Sequence, residues 1–111
     1  MLKEIIEKCL KMDLYEKRDI TDEYCELVFH NKDKNELEKM LTGILGVAIK
    51  GPNLKPTKQD ALVTKNYGGI NNNQTLFKKE FEDGAVIVML WPWQDDAHTT
   101  LKAALIKGKI L

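Results

Sequence analysis

The chain has 111 residues, 43% of them hydrophobic and 31% charged, and its 17 basic and 17 acidic residues balance to a formal net charge of zero. That is the size of one ordinary domain, long enough to bury a core without metal or disulfide staples, and we expect a single domain over 1–111. The balance argues against nucleic acid as a partner, since such binders carry excess Lys and Arg. The longest apolar run, Ala85 to Trp91, falls far short of the about 20 residues needed to cross a bilayer.

The opening "MLKEIIEK" mixes acids with lysines and has no apolar h-region, so we expect no secretory signal, a cytoplasmic protein and no membrane partner. Leu2, Ile5, Ile6, Cys9 and Leu10 recur at helical spacing, which predicts a first helix. The pattern fades near Tyr15, and "EKRD" reads as a charged connector. Residues 23–31 fit either a helix stripe or a strand. We favour the strand, with Cys25, Leu27 and Phe29 on one face. Cys9 and Cys25 are the only cysteines, set among apolar residues and outside any CxxC spacing, and read as small hydrophobes rather than reactive thiols.

A second helix follows, with Asp33 as N-cap and Glu36 completing a capping box. Its stripe is Leu37, Met40, Leu41, Ile44 and Leu45, and Gly46 stops it. "VAIK" suggests a short strand, and "GPNLKP" a loop. Residues 58–66 again allow strand or helix. Thr57 as N-cap with Asp60 at N3, and the Gly68–Gly69 stop, favour a short helix. "INNNQ" is then a polar loop.

Strands 75–81 and 85–91 form a hairpin. Asp83–Gly84 at the two central positions suits a type I′ turn. That turn pairs Glu82 with Ala85, Phe81 with Val86, Phe77 with Leu90 and Leu76 with Trp91. Phe77, Phe81, Val86, Val88 and Leu90 then share a face, with Lys79 out of place among them. The second strand is apolar on both sides and reads as central; the first reads as an edge. A last helix is expected from about Ala97, capped by Asp95 or Asp96, with Ala97, Leu101, Ala104 and Leu105 on one side and Gly108 as its stop. The sum is an α+β fold: a small antiparallel or mixed sheet with helices packed mainly on one face.

The chemistry concentrates in "LWPWQDDAHTTL", residues 90–101. In the expected register residue 74 lies opposite residue 93, so the two loops meet at one end of the sheet. Asn72, Asn73, Gln74, Trp93, Gln94, Asp95, Asp96 and His98 are therefore the candidate binding residues, for a small polar ligand or a protein partner. Plainer accounts exist for each. Trp91 belongs in the core, Trp93 can close its end, the aspartates can cap a helix, and Asn runs favour turns. His98 with either aspartate would also make an acid–base pair. His30 is the only other histidine, and no HExxH, Cys/His cluster, P-loop or dinucleotide motif occurs, so we expect neither metal nor cofactor. The leading expectation is a non-catalytic binding or interaction module that self-associates, because the hairpin face with Leu76, Ile87, Met89 and Trp91 has to be covered by something. We expect a homodimer. The alternative is a small enzyme with an acid–base site around Asp95, Asp96 and His98.

Overall fold

The computed structural model describes residues 1–108, so the last three positions of the expected 1–111 domain lie outside it. The elements run α1 (Leu2–Leu10), β1 (Leu14–Ile20), β2 (Tyr24–His30), α2 (Lys34–Leu45), α3 (Lys58–Thr64), β3 (Thr75–Phe81), β4 (Gly84–Pro92) and β5 (His98–Lys107), with short 3-10 turns before α2 and after α3. The strands form one five-stranded sheet in the order β1-β2-β5-β4-β3, and every neighbouring pair is antiparallel.

The fold is α+β, as the sequence pattern implies. On one sheet face, Leu2, Ile5, Ile6 and Cys9 of α1 and Leu37, Leu41 and Leu45 of α2 pack on Cys25, Leu27, Phe29, Phe77, Val86, Val88, Leu90, Leu101 and Ala103. On the other face, Val63 and Ile70 cover Leu76, Ile87, Met89 and Ala104, with Tyr24, Tyr67, Trp91 and Ile106 around them. This second cluster removes the ground for self-association. Both faces of β4 are buried within one chain: Ile87 and Met89 by the α3 region, Val86 and Val88 by α1 and α2.

Two expectations about whole elements are corrected. The charged "EKRD" is not a connector but lies within β1. No alternation marks it, because β1 is an edge strand whose side chains are almost all exposed, and the ladder to β2 holds it in place. Charges along a free edge also discourage pairing with foreign strands. The second correction is larger. Residues 98–107 are strand β5, not a helix. Ala97, Leu101, Ala104 and Leu105 do have helical spacing, but alternation also fits: Leu101 and Ala103 face α1 and α2, while Ala104 faces α3. The long-range demand decides. β2 and β4 are both apolar, and each needs a ladder partner for its buried backbone N–H and C=O groups; β5 supplies both. Its helix-forming Ala and Leu yield to that context.

The hairpin exists in another register. Phe81 pairs with Gly84, Phe77 with Val88 and Thr75 with Leu90, so the turn residues are Glu82 and Asp83. Neither has positive φ, so the turn is not type I′. The slip is two residues, and because side chains alternate with period two, the expected faces survive it. Gly84 matters for another reason, since a Cβ there would overlap the carbonyl oxygen of Ile106 in β5. Lys79 is exposed where β3 runs out past the core, which explains its place on an apolar face.

Thr57 and Asp60 form the expected capping box on α3. Gly68, at φ 99°, follows the 3-10 turn after that helix, and its missing Cβ leaves room for the Trp91 ring. At α2 the expected capping box is absent. Asp33 has φ −102° and ψ 7° and makes no cap hydrogen bond, because the chain already turns from Asn31. An N-cap side chain needs extended backbone to reach back. "VAIK" yields only an isolated bridge, Lys50 to Leu76. No helix among the described residues is long and apolar enough to cross a membrane.

Candidate functional site

"WPWQDDAH" joins two strands rather than a strand to a helix. The Trp93 amide donates to the His98 carbonyl (2.9 Å), closing a hairpin around residues 94–97. Trp93 and His98 are thus a hydrogen-bonded pair, so Pro92 and Thr99 are not. The donor that Pro92 lacks would face the side where β3 has already ended. Asp95 organises this turn: one carboxylate oxygen accepts from the Ala97 amide (2.9 Å) and the His98 amide (3.1 Å), and the other meets His98 Nδ1 at 2.5 Å. The Ala97 amide first, and the His98 contact next, hold the Asp95 carboxyl below its ordinary range. Asp96 takes the left-handed backbone (φ 57°), which Asp tolerates in turns. Gln94 and Asp96 are exposed on the turn.

β5 then carries His98 beside β2. His30 and His98 are directly opposite, with ring centroids 5.7 Å apart. Because the His98 carbonyl is turned toward Trp93, His30 and His98 form a non-hydrogen-bonded pair, the kind in which side chains stand closest. His30 Nε2 lies 3.9 Å from Asp13, which also faces Lys32 (3.5 Å).

The remaining wall comes from β1. Its ladder to β2 slips between Leu14 and Glu16 and again between Lys17 and Asp19, so Tyr15 and Arg18 are the extra residues of two bulges. A bulge re-aims the residue it frees. Both freed side chains arrive at Trp93: the Tyr15 ring edge-on at 5.9 Å between centroids, the Arg18 guanidinium over the indole at 5.4 Å. Tyr15 also packs on His98 (3.9 Å) and meets His30 edge-on (5.8 Å). Glu16 and Glu26 hold Arg18, and the Trp93 indole N–H donates to Thr100 Oγ1 (2.8 Å). Tyr15 is 51% exposed, so the cluster reaches solvent.

Trp93, Asp95 and His98 therefore lie together in one cluster. The contacts made by the Asn72–Gln74 loop lie elsewhere. In the observed register Gln74 is level with Trp91, two positions short of Trp93. Its side chain accepts from the Asn71 amide (2.8 Å), and the Asn72 carbonyl accepts from the Asn53 amide (2.7 Å). Lys50 ties the two loops together: its buried ammonium donates to the carbonyls of Gly51 (2.9 Å), Asn72 (3.0 Å) and Gln74 (2.5 Å). Burial lowers the Lys50 pKa, and those three carbonyls support its charge. The amides of this loop thus serve the loop.

Sequence reasoning misses Tyr15, Arg18 and His30. His30 is visible as the second histidine, but its partner across the ladder depends on β5 being a strand. Nothing in "LYEKRDI" signals a bulge. Among the described residues, no group of three or more His, Cys, Asp or Glu side chains is arranged to hold a metal ion. No family model, curated protein or solved structure matches this chain.

Proposed function

We propose that this chain is a non-catalytic binding module whose recognition surface is formed by Tyr15, Trp93, His30 and His98, flanked by Arg18 and Asp95. One observation carries the reading: both residues freed by the bulges of β1 turn onto the same tryptophan. Each bulge disrupts the ladder locally, and bulges concentrate beside functional sites. Here they assemble a half-buried aromatic cluster whose exposed member is Tyr15, the kind of amphipathic area used to engage a partner or a flat ligand. The hairpin face that suggested self-association is covered within the chain, so this reading rests on the aromatic cluster alone. A reducing, cytoplasmic setting suits the two free, buried thiols.

A second reading has its own observation. Asp95 on His98 Nδ1 is the arrangement that orients a general base, which favours a small acid–base enzyme. Asp96 adds nothing to that pair. Fragment screening by amide and indole shifts tests the binding reading. The binding reading expects ligands that move Tyr15, Trp93 and His98 together and lose affinity in Tyr15→Ala at unchanged melting temperature. Hits confined to the Tyr24–Tyr67 surface would contradict it.

A further inference from the structure

We propose that His30 and His98 form a two-histidine site for a divalent transition-metal ion such as zinc. The inference rests on the reading of this patch as a binding surface and names an inorganic ligand for it. Two features support it. The residues are directly opposite on adjacent antiparallel strands, so the sheet itself fixes their spacing. Two imidazoles sharing one metal, each bound through a nitrogen at about 2.0–2.1 Å, place their centroids about 5–6 Å apart. The observed separation is 5.7 Å.

The second feature is the Asp95 contact. A carboxylate accepts only, so the proton of a neutral His98 sits on Nδ1 and Nε2 keeps its lone pair. A carboxylate behind the distal nitrogen is the usual support for a metal-binding histidine. Charge at the site is balanced: Asp13 stands 3.9 Å from His30 Nε2 and Asp95 is bonded to His98, while Lys32 and Arg18 offset them. Tyr15 lies on the face of the His98 ring, whereas a metal binds in the ring plane, so the tyrosine does not compete for it. With two protein ligands the site is open, and solvent completes the coordination. Imidazole ligands suit zinc, copper and nickel rather than calcium or magnesium.

The test is a zinc titration of the whole chain, followed by calorimetry and by histidine ring shifts. We expect one saturable equivalent that releases on chelation. His30→Ala and His98→Ala should each abolish it, and Asp95→Asn should weaken it by about ten-fold or more. Far-UV circular dichroism confirms that the variants fold. No saturable binding, or binding unchanged in either histidine variant, overturns the site. The two proposals fail separately. Organic ligands that still shift Tyr15 and Trp93 without any zinc binding remove only the metal. Zinc binding with no organic ligand at those rings removes only the aromatic surface.

Discussion

A Cβ at Gly84 would overlap the Ile106 carbonyl oxygen, a backbone atom that cannot step aside without dislodging β5. Gly84→Ala should therefore destabilise the protein by about 1–3 kcal/mol, the usual cost of overpacking. Thermal denaturation checks this, and an unchanged midpoint would mean that β4 and β5 do not approach as described. Asp95 yields a prediction in pH. Its folded-state pKa is lowered, by the Ala97 amide first and His98 second. The stability it contributes is then fully present above the ordinary Asp value of about 3.9, and is lost as pH falls through the lower folded value. The midpoint difference between the native chain and Asp95→Asn should shrink as the pH drops through that window. A difference that stays constant would show that the carboxylate is not engaged.

Cys9 of α1 and Cys25 of β2 lie in the cluster that joins helix to sheet. Burial pushes the Cys9 thiol up to about 12 and the Cys25 thiol up to about 11. Thiolate is the reactive form, so neither should react with a disulfide reagent at mildly alkaline pH until the chain unfolds, when both should. A thiol that reacts in the native state would mean that α1 lifts from the sheet. Elements differ in how far the sequence reveals them. α1, β2 and α3 are legible because periodicity and a capping box agree with what the elements pack against. β1 is not, since an exposed edge strand needs no apolar alternation. β5 is misread because Ala and Leu suit a helix locally, while the need for it comes from β2 and β4, distant in the chain.

At the scale of the molecule, the candidate site is a product of sheet order. Tyr15 and Arg18 come from one edge, His30 from the next strand, and Trp93, Asp95 and His98 from the β4–β5 hairpin. The second half of that set is visible in "WPWQDDAH"; the first half requires β5 to lie against β2. With residues 98–107 as a helix, His30 and His98 would not share a ladder, and both the aromatic surface and the metal pair would dissolve. The most direct measurement is therefore the nuclear Overhauser contact between the His30 and His98 α-protons, which a non-hydrogen-bonded antiparallel pair brings close. The structure predicts a strong cross-strand contact there, with a matching one between Val28 and Thr100. Sequential amide–amide contacts running through residues 98–107, with no α-proton contact to β2, would mean that the segment is a helix and would contradict the site.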